Sequence, residues 1–365
     1  MKHILAILIL SVITTGSSFA QARMTGVLDV EQRRAALAQS AFASIRAACL
    51  AIPREASWTT LKPIAALKAT EGYGTDGSAN DYAWAVMVLT GRALAGDVQS
   101  ETSLRDLLLN WAKANAFART EVENDAYYAL KRVLLPTVVG YSIIQGGLDD
   151  EQRRVIAAWI DPLVRKVDHI FDGSVDHNNH RYLTDSVLMA WGAVAGDEAL
   201  YSKGIERYRA ILAEARADGS LPLETRRGAR ALWYMRQSLS SMTVIAEIAA
   251  ARGTDLYALS HNDVTYDRVL SYTLNGITEP RIVLAYASEN YIPGDESDFR
   301  KADLGFLAKR GHGRHYMAWV EPVVARDRGG LATRRLKALF ARSIKNERPL
   351  IDEFAGGNAT CIWGR

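Results

Sequence analysis

A helical hydrophobic period runs through most of this sequence and leaves little room for another secondary structure. Leu104, Leu107, Leu108 and Trp111 fall at i, i+3, i+4 and i+7, the apolar stripe of an amphipathic helix. Val155, Ile156, Trp159, Ile160 and Val164 repeat the stripe, with Pro162 placed to bend that helix. Further helices are expected over 30–49, 81–95, 123–145 (kinked at Pro136), 184–195, 198–216, 229–251 and 332–345. Strand-like alternation is confined to Arg281–Tyr286 and Tyr316–Val320.

The turns between these segments are short and repeat themselves. Leu94-Ala95-Gly96-Asp97 and Val194-Ala195-Gly196-Asp197 each set a glycine just past one helix and an aspartate before the next. Asp29 and Asp149 also precede helices, with Gln32 and Gln152 three residues on, the spacing of a capping box. Such turns favour antiparallel neighbours. The expectation is an all-α fold, an α/α bundle, solenoid or toroid. No Pro/Ser-rich linker divides the 365 residues, so one domain is expected.

Composition narrows the partners. With 44 basic and 41 acidic side chains the net charge is +3, which excludes a polybasic nucleic-acid arm and an acidic disordered tail. Lys2, the aliphatic run Ile4–Ile13, then Ser18-Phe19-Ala20 and Ala20-Gln21-Ala22, follow the order of a secretory signal peptide, too short for a membrane span. Residues 1–22 are therefore expected to be removed and 23–365 to act as a monomer in the periplasm or outside the cell, away from membrane and nucleic acid. In an oxidising compartment the two cysteines, Cys49 and Cys361, can pair and tie the first mature helix to the C-terminal tail; two unpaired thiols are the alternative.

Two segments concentrate reactive side chains. Residues 172–182, DGSVDHNNHRY, hold asparagines and histidines at a density that is costly to bury unless they bind each other or a ligand. Three readings stay open: a metal site from His177 and His180 with Asp172 or Asp176, and a second pair in His312 and His315; a polar cluster of Asn179 and His180 that grips and deprotonates an organic substrate; or a solvated loop. Residues 221–234, LPLETRRGARALWY, would set Arg227, Arg230 and Tyr234 on one helix face. Guanidinium groups read carboxylates through paired hydrogen bonds, and they stabilise a phenolate, which makes Tyr234 a candidate proton carrier.

These two segments resemble those of the alginate lyases of polysaccharide lyase family 5. Asn178-Asn179-His180-Arg181-Tyr182 is similar to the family's NNHSYW, and residues 221–234 to its LPNELKRRQRALAY. The spacing from His180 to Arg227 and Tyr234 agrees without an insertion. Gly72–Asp76 and Ala318–Pro322 more faintly resemble its KYEGSD and SWLEP segments. The resemblance implies an incomplete α/α toroid of antiparallel helix pairs with a cleft across one face. It implies β-elimination on a 1,4-linked anionic polysaccharide, an alginate-like polyuronate, leaving 4,5-unsaturated ends with no metal or other cofactor. Asn179, His180, Arg227 and Tyr234 correspond to its catalytic residues. Asn178, Tyr182, Arg230, Tyr73 and Trp319 are the expected substrate-binding residues.

The departures bear on substrate more than on reaction. Gly72 stands where the family loop has lysine, Arg181 and Leu183 replace the serine and tryptophan of NNHSYW, and Met235-Arg236-Gln237 replaces the HNY after the tyrosine. Polyglucuronate therefore stands beside polymannuronate as an expected substrate. A non-catalytic protein that holds such a polymer during export or assembly is the alternative: it would need the arginines but not Tyr234. The basic stretch Arg334, Arg335, Lys337, Arg342 and Lys345 reads as a solvated helix face.

Overall fold

The structure, a computed structural model, describes residues 26–68, 77–121, 124–169, 177–287, 289 and 302–365. The signal segment, Tyr73 with its loop, Asp172 and Asp176 lie outside the described residues. Helices dominate the rest. Near the N-terminus come α1 (Val30–Ala38) and α2 (Ala43–Leu50), parted by a 3-10 turn where one helix over 30–49 was expected. Four antiparallel pairs follow, beginning with α3 (Gly77–Leu94) and α4 (Val98–Lys113), then α5 (Asn124–Ile144) and α6 (Asp150–Asp168). The pair α7 (Asn179–Ala195) and α8 (Glu198–Glu214) comes next. A single turn, α9 (Pro222–Thr225), then leads into α10 (Ala231–Ala251) and α11 (Tyr266–Thr278).

The two members of a pair differ in burial, and that difference builds the architecture. Along α7 every residue from Asn179 to Val194 is buried, and α10 is buried over nearly its whole length. Helices buried on every side lie inside, and the charged Arg181 and Asp185 of α7 pair with each other there. By contrast α4 and α6 bury one stripe, Leu104, Leu107, Leu108 and Trp111 in the first and Ile156, Trp159, Ile160, Leu163, Val164 and Val167 in the second. Thus α3, α5, α7 and α10 neighbour one another in an inner layer, with α4, α6 and α8 outside. This is the expected α/α toroid. Pro136 and Pro162 are both accommodated inside continuous helices.

Local chemistry sets the turns as expected. Asp97 and Asp197 each accept two backbone N–H groups at the starts of α4 and α8, behind Gly96 and Gly196 at φ +90° and +73°. Asp149 and Gln152 form a full capping box on α6. Gly192 lets α8 press against α7: a Cβ there would lie 2.3 Å from the Tyr201 nitrogen.

Beyond α11 come α12 (Arg281–Ala287), α13 (Val320–Arg326), α14 (Leu331–Leu339) and α15 (Ala359–Trp363). Both expected strands are corrected: residues 281–287 are helical, and Tyr316–Trp319 form a turn into α13. The two small hairpins are instead β1 (Ser260–His261) with β2 (Val264–Thr265), and β3 (Ile351–Asp352) with β4 (Gly357–Asn358). The second hairpin and its tip, Glu353–Ala355, pack against α3, α5 and α10 and fill the space the inner helices leave. A Cys49–Cys361 disulfide, Cα atoms 5.5 Å apart, joins α2 to α15 just beyond it. Cys49 thus lies on the second described helix rather than the first.

Candidate active site

The chain from α9 to α10 and the first turn of α7 meet at one pocket. It is lined by Tyr128, Arg132, His180, Arg230, Trp233, Tyr234, Gln237, Tyr316 and Phe354. Of the NNH segment, Asn179 and His180 are helical rather than part of a solvated loop, because α7 starts at Asn179. Asn178 caps that helix, its Oδ1 accepting from the His180 N–H at 2.9 Å, and this sets Asn179 and His180 rigidly in the opening turn.

Each member of the expected quartet has a defined place. Asn179 is buried; its N–H donates to Glu224 Oε1 at 2.6 Å and its Nδ2 donates to Gln237 Oε1. The His180 ring packs edge-on to Tyr128, centroids 4.8 Å apart, and the His180 carbonyl accepts from Lys131 Nζ at 2.9 Å. Burial first, then the Lys131 and Arg227 charges, holds the His180 imidazole well below its ordinary range, so it is neutral. Arg227 Nη2 donates to the Tyr234 hydroxyl oxygen at 3.2 Å, and its guanidinium carbon lies 4.1 Å from the Tyr234 ring centroid. Arg227 precedes a 3-10 turn, so these two groups meet across a bend rather than along one helix face. Arg230 lines the mouth half-exposed, 4.0 Å from Asp303.

Two expected binding residues lie away from the pocket surface. Trp319 is 1% exposed and Tyr182 is 2% exposed, both in the core and neither in the pocket lining. Arg181, one of the departures, is a structural tie: it pairs with Asp168 and Asp185, each at 2.8 Å. His315, of the second candidate metal pair, is fully buried, its Nδ1 accepting from the Met317 N–H at 3.1 Å. His312 bonds Asp81 at 3.0 Å beside Trp84. Among the described residues no three His, Cys, Asp or Glu side chains converge as a metal site would need.

The pocket also uses residues that no motif announced. On α5, Tyr128 and Arg132 face it, and the hairpin tip supplies Phe354. Behind Phe354, Glu353 binds Arg132, Arg310 (2.6 Å) and Arg314 (3.4 Å), while Asp352 binds Arg310 at 2.9 Å. Glu224 was visible only as one acidic residue in an apolar stretch, Leu221 to Leu223, ahead of the arginines. Fully buried, it clamps the α7 start to α10 by accepting from Asn179 N–H and from Ser238 Oγ at 3.0 Å. A larger groove between α1 and the C-terminal tail carries Glu247 already paired with Arg326 and Tyr257, and no comparable acid–base set.

Comparison with known proteins accords with this geometry. Residues 137–283, which contain the quartet, match the family model described as alginate lyase. A polysaccharide lyase of Stenotrophomonas maltophilia (strain K279a) is 30% identical over 161 residues, 44% of this chain and 48% of that one. An alginate lyase of Azotobacter vinelandii is 29% identical over 210 residues, 58% of this chain and 47% of that one. Over its central part the chain is similar to the alginate lyases. It spans about half the length of the curated relatives it matches. The crystal structure of alginate lyase A1-III from Sphingomonas species A1 superposes with a TM-score of 0.74 at 22% identity, covering 93% of this chain and 95% of that one. A histidine-to-alanine variant of A1-III complexed with tetrasaccharide gives 0.75 over the same shares. At that identity the likeness is one of fold, and the fold is shared nearly end to end.

Proposed function

We propose that this chain is a polysaccharide lyase, a carbon–oxygen lyase that cleaves a 1,4-linked polyuronate by β-elimination. The observation that most supports this reading is the Arg227–Tyr234 contact, with Tyr234 and the buried His180 lining one pocket. Removing the C5 proton of a uronate adds charge beside a carboxylate that is already negative. Arg227 and the second N–H of the Asn179 amide neutralise that carboxylate and hold the extra charge as it develops. Tyr234 takes the C5 proton as phenolate, with Arg227 at its oxygen. The C5–H electron pair forms the C4–C5 double bond, the C4–O bond breaks, and Tyr234 returns its proton to the departing oxygen. This route serves a sugar whose proton and leaving group lie syn, as in mannuronate. His180 is the base for the opposite geometry and otherwise assists at the carboxylate.

Alginate rich in mannuronate is the leading substrate and polyglucuronate the second, since both carry the same carboxylate in the same ring position. The Cys49–Cys361 disulfide suits an oxidising compartment, in line with a secreted or periplasmic protein whose residues 1–22 are a signal peptide. Among the described residues no helix is long and apolar enough to cross a membrane.

The test is ultraviolet absorbance of unsaturated uronate ends with polymannuronate, polyguluronate, polyglucuronate and hyaluronan, in wild type and Tyr234→Phe. A signal on any polymer that falls by about 10³-fold or more in Tyr234→Phe, with the fold intact, is expected. Silence from folded wild type on all four, with polymer still bound, would leave a binding protein in place of the enzyme.

A further inference from the structure

Gln237 stands three residues after Tyr234 on α10 and lines the same pocket, though only 7% exposed. Its Oε1 accepts twice, from Asn179 Nδ2 and from the Tyr128 hydroxyl at 3.5 Å. In this arrangement the amide oxygen faces Asn179 and Tyr128. The nitrogen is thereby turned from Asn179 and Tyr128, and it meets no acceptor among the described residues. With its oxygen engaged, the amide leaves both Nε2 hydrogens free to donate to an oxygen of a ligand held in the pocket that Gln237 lines. The same contact orients Asn179: one Nδ2 hydrogen goes to Gln237, which leaves the other for a ligand.

We propose that Gln237 is a substrate-reading residue, whose Nε2 donates to an oxygen of the bound uronate while its Oε1 holds the Asn179 amide in its working orientation. The inference rests on the lyase reading for its substrate class. It assigns specificity to the one residue of the Met235-Arg236-Gln237 departure that lines the pocket; Met235 is fully buried, and Arg236 is fully buried behind the lining, against Tyr316 and Phe354.

Gln237→Glu separates the two roles, because a carboxylate still accepts from Asn179 and Tyr128 but cannot donate, and it repels a uronate. The expected result is a rise in KM, and in the dissociation constant of a mannuronate oligosaccharide measured by calorimetry, of about tenfold or more. The loss in kcat should be smaller than the rise in KM, since Asn179 keeps its acceptor. Gln237→Met, which removes both functions at similar volume, should raise KM and also lower kcat; it carries the test if the glutamate variant fails to fold. Wild-type affinity in either folded variant would overturn the proposal and leave the lyase standing. Wild type that binds the oligosaccharide without releasing unsaturated ends would sink the lyase reading, with the affinity comparison still deciding the role of Gln237. Binding of no polyuronate by wild type would overturn both.

Discussion

Glu224 and Glu353 are buried behind two walls of the same pocket, 0% and 2% exposed, yet their surroundings push them in opposite directions. Burial moves the Glu224 carboxyl up to about 7, and the hydrogen bonds from Asn179 and Ser238 with the charge of Arg227 recover only part of that shift. Burial acts on Glu353 in the same sense, but Arg310, Arg132 and Arg314 outweigh it and hold that carboxyl well below its usual range. The number of guanidinium groups at hydrogen-bond distance decides the outcome. One wall fixes a permanent anion as an anchor for three arginines; the other keeps a carboxyl that can shed its charge next to Asn179. On the proposed lyase reading the second arrangement helps, because a Glu224 that can take up a proton opposes a uronate carboxylate less than a permanent anion would.

The largest effect should come from breaking the anchor. Glu353→Ala would leave Arg132, Arg310 and Arg314 short of their common counter-charge in the interior, at a cost of about 3–5 kcal/mol. Chemical denaturation at neutral pH checks it, and a loss below about 1 kcal/mol would show that Asp352 alone suffices to hold the arginines. The wild-type protein should also lose stability in acid. A carboxylate whose folded pKa is depressed stabilises above its unfolded value, about 4.5, and that contribution disappears as pH falls below it.

A smaller but sharper contrast concerns what an arginine does on each wall. Around Glu353 the guanidiniums serve the protein, whereas Arg227 meets the hydroxyl of Tyr234. Arg227→Lys keeps the charge and should leave the unfolding midpoint within about 0.5 kcal/mol, while lowering kcat by about 10²–10³-fold through loss of the planar, paired donors. Wild-type turnover in that variant would move carboxylate recognition to Arg230, the next guanidinium at the pocket.

What was legible in the sequence follows the range of the interactions. Caps at Asp97, Asp149 and Asp197 are local, and the structure has them where the sequence puts them. The stripes of α4 and α6 needed only a period. Arg281–Tyr286 misled because a short apolar run fits a strand as well as a turn of helix, and its packing beside α9 and α11 decided for helix. Asn179, His180, Arg227 and Tyr234 stood out through residue type and spacing, and the fold gathers them at one place, whereas Tyr182 and Trp319, in the same motifs, are buried in the core. Adjacency to a reactive residue on a helix says nothing about which face a neighbour takes. Tyr128, Arg132 and Phe354 were illegible for a further reason: α5 and the hairpin reach the pocket only through the tertiary fold.

The subtlest prediction tests the titratable wall directly. A carboxyl whose folded pKa is raised binds its proton more tightly in the native state, so the protein loses stability as pH rises from the unfolded value of about 4.5 towards about 7. Between about pH 5 and about pH 7 that loss is on the order of 2 kcal/mol for Glu224. His180 works against it over part of this range, because a buried neutral histidine destabilises the fold as pH drops through its unfolded value. The comparison must therefore be a difference in which His180 cancels. Glu224→Gln keeps an oxygen for Asn179 N–H and Ser238 Oγ but has no proton to lose, so its stability relative to wild type should improve steadily across that window. Denaturation midpoints for the pair at matched pH values measure it. Parallel curves would mean that Glu224 stays ionised throughout, and the two walls would then differ in geometry but not in charge.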